Sequence, residues 1–229
     1  MFSFNTIIAW IINDYIEIGN IIITILSLPL GHISNTWYIW WQRRQFVKGV
    51  WVQTVEKTAL SIRHDHMWVK PSRGLVKINV DATFHEDTLS GACGAVVRDD
   101  HGDFVASTNW FIPHVRNAES TEFQAIRNGL YLASNIGCNS VEIESDCIST
   151  VEAIQSMDEY MGADVVLVLE CKQMAMDFTR ICYEHCFREA NKVADSLARY
   201  SFDSRSSGLW ENSTPDFISV LLVNDMTIL

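Results

Sequence analysis

Between residues 75 and 200 the apolar positions change their spacing along the chain, and the changes divide it into elements. Three apolar runs, at about 75–81, 91–98 and 103–111, read as strands, with Asp100-His101-Gly102-Asp103 as a turn signal between the last two. A long amphipathic helix follows over about 118–136 and is ended by Gly137. A strand at 140–145, helices near 147–157 and 163–177, a strand at 179–187 and a helix at 189–200 complete the pattern. A three-strand meander followed by αβαβα predicts an α/β fold, a five-stranded mixed sheet with helices on both faces.

The flanks read differently. Residues 33–59 carry Trp37, Trp40, Trp41, Val47, Val50 and Trp51 near helical spacing, and Ser61 to Arg73, with Pro71 and Gly74 close by, reads as a linker. Ahead of them, Ile7–Ile12 and Ile21–Leu30 are apolar but are interrupted by Asn13, Asp14, Glu17, Gly19 and Asn20. Neither run reaches the roughly 18–20 residues of a membrane span, and no basic stretch precedes them. A buried helix or part of a neighbouring domain is expected there, with no membrane partner. The division expected is an apolar, aromatic flank and linker at 1–67, one domain at 68–200 and a tail at 201–229 to which no role is assigned.

Composition allows this division and adds one difficulty. A chain of 229 residues with 48% hydrophobic content can fill a core. Its formal net charge is −11, and residues 68–200 alone carry eleven Lys or Arg against twenty Asp or Glu. Such a domain lacks a basic track, and affinity for a polyanion comes largely from Lys and Arg displacing condensed counterions. Weak, salt-sensitive binding of nucleic acid is expected unless cations come from elsewhere. The six cysteines form no CxxC pair and no zinc spacing, so they read as reduced thiols, mostly in the core, and favour a cytosolic or nuclear setting.

Four acids stand where strands or helices begin or end. Asp81 closes the strand that starts at Leu75, Glu122 lies in the first turns of the long helix, Asp146 ends the strand from Val141, and Asp195 sits in the last helix after His185. Carboxylates drawn from distant parts of one α/β sheet suit two Mg²⁺ ions held against a phosphodiester. Glu119 competes with Glu122 for the helix position, and the Gly129-Leu130 register favours Glu122.

The motifs around these acids resemble a known family. Trp68-Val69-Lys70-Pro71-Ser72-Arg73-Gly74 and Lys77-Ile78-Asn79-Val80-Asp81-Ala82 are similar to the entry of ribonuclease H type 1 domains in plant reverse-transcriptase-like, retroelement-derived proteins. Gly91-Ala92-Cys93-Gly94-Ala95-Val96-Val97-Arg98-Asp99 with Gly102, Glu122 with Ala125 and Gly129-Leu130, and Glu144-Ser145-Asp146-Cys147 continue the likeness. His185, Arg188-Glu189, Asn191 and Val193-Ala194-Asp195-Ser196-Leu197-Ala198-Arg199 complete it over roughly 68–200.

The resemblance implies the ribonuclease H-like fold and hydrolysis of the RNA strand of an RNA–DNA hybrid with two Mg²⁺ ions, for which Mn²⁺ can substitute. It implies that Asp81 bridges the ions, that Glu122 and Asp146 complete one site, and that Asp195 holds the second. His185 is expected to assist proton transfer or product release. The short connection from Met157 to Asp164 leaves no room for the basic insertion of some relatives. A monomer is expected. The alternative is a catalytically weak or inactive interaction module that keeps the fold. A 3′–5′ exonuclease fits poorly, because Asp81-Ala82-Thr83 lacks the second acid such enzymes carry on the first strand.

Overall fold

The computed structural model describes residues 67–156 and 160–227. The aromatic helix expected at 33–59, the apolar runs before it and most of the linker lie outside the described residues. The elements run β1 (Val76–His85), β2 (Ser90–Arg98), β3 (Phe104–Ile112), α1 (Ala118–Asn135), β4 (Ser140–Ser145), α2 (Ile148–Gln155) and α3 (Val165–Ala175). They continue with β5 (Arg180–His185), a 3-10 turn (Arg188–Ala190), α4 (Lys192–Ser204), β6 (Gly208–Glu211) and α5 (Asp216–Thr227). The sheet order is β5-β4-β1-β2-β3-β6; β1, β2, β3 and β6 pair antiparallel, whereas β4 lies parallel to both β1 and β5. The expected mixed sheet is therefore present, with a sixth strand added at its β3 edge. Among the described residues no helix is long and apolar enough to cross a membrane.

Strand alternation sends neighbouring residues of β1 to opposite faces. On one face Ile78 and Val80 press against Gly129 of α1, and Phe123, Ile126, Leu130 and Ala133 bury the same side of that helix. Asn117 starts α1 by accepting a hydrogen bond from the Ser120 amide at 2.8 Å, and Gly137, at φ 77, ends it. On the other face α4 lies across the sheet, and Val96, Val193, Leu197 and Ile218 form a second core.

Gly94 makes that second packing possible. A Cβ there would stand 2.4 Å from the Ala194 carbonyl oxygen and 2.6 Å from the Ala198 amide nitrogen, so the backbone of α4 leaves room only for hydrogen. The space beside this glycine is taken by α4. Gly94→Ala is expected to lower stability by about 1–3 kcal/mol through overpacking, measured by denaturant unfolding with an unchanged m-value.

Residues 208–227, a tail without an assigned role in the sequence, belong to the fold. Trp210 faces Ser107 across the β3–β6 pair, and Trp210, Phe217, Leu221 and Leu222 pack on the second core. The helix α5 brings Asp225 to Arg98, whose side chain is fully buried. Arg98 Nη1 donates to Asp225 Oδ2 at 2.7 Å and Nη2 to Asn79 Oδ1 at 2.9 Å, and its guanidinium lies 3.5 Å from the Trp68 ring centroid. Asn79 also accepts from Trp68 Nε1 at 2.8 Å. The strand-ending Arg98 is thus sealed by three segments that are remote in sequence.

The six cysteines are free, and Cys93, Cys171 and Cys186 are buried. Burial pushes the Cys171 thiol up to about 12, so it stays protonated in the core.

Candidate metal centre

The register of the central parallel pair sets up the site. Val80 of β1 is aligned with Ser145 of β4 in the last step of their parallel pairing, so Asp81 and Asp146 follow side by side; β1 does not close at Asp81 as the sequence suggests but runs on to His85, held by its pairing with β2. Ligands in open α/β sheets bind outside these strand ends. Glu122, one turn into α1, comes to the same point: Asp81, Glu122 and Asp146 each place a carboxylate oxygen within 4.8 Å of the others. Glu119, the competing acid of that turn, accepts instead from the Tyr160 hydroxyl at 3.2 Å.

Asp195 stands beside this trio, not within it. It lines the same cavity of about 560 Å³, is 40% exposed, and its Oδ1 accepts from Arg199 Nε at 2.9 Å on the next turn of α4. Asn191, immediately before α4, fixes that helix against β1 by donating from Nδ2 to the Val80 carbonyl oxygen at 2.9 Å. This bond anchors α4 one residue from Asp81, so Asp195 faces the trio.

His185 is placed differently from the four acids. It ends β5 beside Ser145, is exposed, and meets the Phe187 ring edge-on at 5.6 Å; it is not among the residues lining the cavity. The histidine that does line it is His85, at the end of β1, stacked on Phe202 with ring centroids 4.1 Å apart. Sequence reasoning missed His85, Phe202 and the rim arginines Arg188 and Arg199. Only Arg199 carried a local signal, lying four residues after Asp195 on one helix face. Arg188 donates from Nε to Asp146 Oδ2 at 3.1 Å across 42 residues of sequence.

The electrostatics are those of crowded, desolvated acids. Burial first, then the charges of Asp146, Glu122 and Asp195, push the Asp81 carboxyl up to about 9. Burial also raises Glu122, with Cys147 and Asp146 adding to the effect and Arg188 opposing it. Two unit charges 4 Å apart repel by about 4 kcal/mol at an effective dielectric of 20, so Asp81 in the bare cluster retains its proton at neutral pH. Glu122 Oε2 and Asn191 Oδ1 are buried without a hydrogen-bond partner. Hard oxygen donors, excess negative charge and an unpartnered carboxylate oxygen together fit a divalent cation.

The model of the reverse transcriptase-like family matches residues 79–201. The chain is similar to an Arabidopsis thaliana protein provisionally named a ribonuclease H protein, with 30% identity over 69% of this chain and 25% of that protein. It thus spans about a quarter of that relative's length. Among solved structures it is similar to ribonuclease H1 of Halobacterium salinarum (20% identity, TM-score 0.54, 57% of this chain and 98% of that one). It is also similar to the N-terminal ribonuclease H domain of a Mycobacterium tuberculosis protein (26% identity, TM-score 0.53, 57% and 94%). A third likeness, in fold, is to LC11 ribonuclease H1 in complex with an RNA/DNA hybrid (18% identity, TM-score 0.52, 57% and 98%).

Proposed function

The chain belongs to the reverse transcriptase-like family of ribonuclease H-type domains, and from that premise we propose that it cleaves the RNA strand of RNA–DNA hybrids endonucleolytically at the Asp81 cluster. The observation that carries this reading is the convergence of Asp81, Glu122 and Asp146 oxygens within 4.8 Å, with Glu122 Oε2 buried and unpartnered. Asp81, Glu122 and Asp146 would hold one Mg²⁺, and Asp81 with Asp195 a second; Mn²⁺ suits the same donors. When bound, such a pair stabilises both the attacking water and the departing 3′ oxygen of an in-line displacement.

The chain's own residues prepare this chemistry. Asp81 is buried and Glu122 half-buried, which strengthens their attraction for a cation, and the Asn191 bond to the Val80 carbonyl keeps Asp195 in reach of Asp81. Choice of RNA over DNA is assigned to 2′-hydroxyl contacts and helix shape, not to base reading. His185 lies outside the cavity wall, at the end of β5, and its proposed role is to assist proton transfer or product release. Loss of such help typically costs 10²–10⁴-fold. His185→Ala is therefore expected to slow turnover by about a hundredfold, the low end of that range, with Mg²⁺ affinity unchanged by calorimetry.

The acidic charge favours a second reading, an interaction module that has lost catalysis. The deciding experiment is incubation of a labelled hybrid with the full chain and Mg²⁺, beside duplex DNA and duplex RNA. Cleavage confined to the RNA strand of the hybrid and stopped by EDTA is expected. An intact hybrid, together with no Mg²⁺ or Mn²⁺ binding by calorimetry, would favour the module.

A further inference from the structure

An acidic domain that is to hold a polyanion needs cations placed where the phosphates arrive. Among the described residues lining the carboxylate cavity, the permanent cations are Arg188, in the 3-10 turn after β5, and Arg199, on α4. Arg188 Nε donates to Asp146 at 3.1 Å and Arg199 Nε to Asp195 at 2.9 Å. The side chains of Arg188 and Arg199 are 90% and 69% exposed, while that of Asp146 is only 11% exposed. Each solvated arginine therefore pairs with a carboxylate assigned above to a metal ion.

An exposed pair of this kind is weak. A divalent ion carries twice the charge and approaches a carboxylate oxygen to about 2.1 Å, so it displaces a guanidinium held near 3 Å. The released guanidinium stays at the cavity mouth, where its planar fork matches the oxygens of a phosphate. We propose that Arg188 and Arg199 are exchangeable counterions: they neutralise Asp146 and Asp195 in the metal-free protein and turn to backbone phosphates of the hybrid when metal is bound. This inference rests on the metal-dependent reading of the site, and it supplies cations at the cavity of a domain that has no basic track.

The test uses the full chain and the variants Arg188→Ala and Arg199→Ala. Calorimetric titration with Mn²⁺ is expected to show each variant binding metal about three- to tenfold more tightly, because a competing unit charge is gone. Binding of a short hybrid with a 2′-fluoro RNA strand, which is not cut, is then followed against salt. With metal present, the slope of log Kd against log salt is expected to fall by about one for each arginine removed. In EDTA, with both arginines engaged by carboxylates, parent and variants are expected to share one slope. Arg188→Lys and Arg199→Lys keep the charge and are expected to keep the parental slope. Weaker metal binding by the alanine variants, or an unchanged slope with metal, would make the arginines fixed positioning groups and overturn the exchange alone. A parent chain that binds no metal would overturn the functional reading and the exchange together.

Discussion

Asp81→Asn is expected to abolish cleavage of a labelled hybrid while making the metal-free protein more stable. Asp81 is the acid common to both proposed ion sites, and loss of metal-based stabilisation worth several kcal/mol corresponds to at least about a thousandfold in rate. The gain in stability has the opposite origin. Folding takes this carboxyl out of water and sets it beside Asp146, Glu122 and Asp195, which raises it from 3.8 to about 9. A proton held more tightly in the folded state adds stability below the unfolded value, and that contribution is lost as pH rises from 3.8 through about 9. The asparagine amide is neutral throughout. In EDTA at pH 8 the variant is expected to be more stable by about 1–2 kcal/mol, or about 2–8 °C in Tm. Its Tm should also fall less than the parent's between pH 4 and 9. An equal or lower Tm for the variant across that range would show that the acids are not crowded as described, and parental cleavage would remove Asp81 from the reaction.

The second large effect lies far from the site, at the C-terminal helix. Asp225→Ala is expected to lower stability by about 3 kcal/mol, the lower range for breaking a buried ion pair, which corresponds to about 6–12 °C in Tm. The cost comes from Arg98, whose guanidinium cannot lose its charge and would be left buried with Asn79 and the Trp68 face as its remaining neighbours. Burial raises the Asp225 carboxyl even with Arg98 beside it, a sign that the pair is expensive to desolvate. Replacing both partners, Arg98→Met with Asp225→Leu, should therefore recover most of the loss. Thermal unfolding of the single and double variants reads this directly. A single variant as stable as the parent would mean that water reaches Arg98 once α5 is weakened.

These two residues also mark how far the sequence could be read. Asp81 was legible because it closes the apolar run from Leu75, although β1 itself continues to His85, and Asp146 because it follows the last residue of β4. Parallel pairing of those strands then makes their acids neighbours almost automatically. Glu122 was legible from helix register, as the preference over Glu119 required. Arg98 was not legible, because a charged residue at a strand end reads as solvated. Its burial is produced by Trp68, Asn79 and Asp225, which arrive from three separate stretches of chain. The edge strand β6 was missed for a related reason: Gly208–Glu211 is four residues long, too short for an alternation signal, and is held by its pairing to β3.

His185 and the two arginines show the same division within the site. Spacing in the motif brought His185 forward as a candidate, yet its ring sits against Phe187 and outside the cavity wall. Arg188 was quoted only as part of a motif, and its contact with Asp146 crosses 42 residues.

Local order along the chain, the kinds of element and the acids at their ends were written in short-range periodicity, since strands and helices impose their repeats on neighbouring residues. Which charges are buried, which carboxylate is tied to which arginine, and how residues 208–227 extend and cover the sheet depended on contacts between distant segments. No repeat encodes such contacts; they form when two faces meet and water leaves.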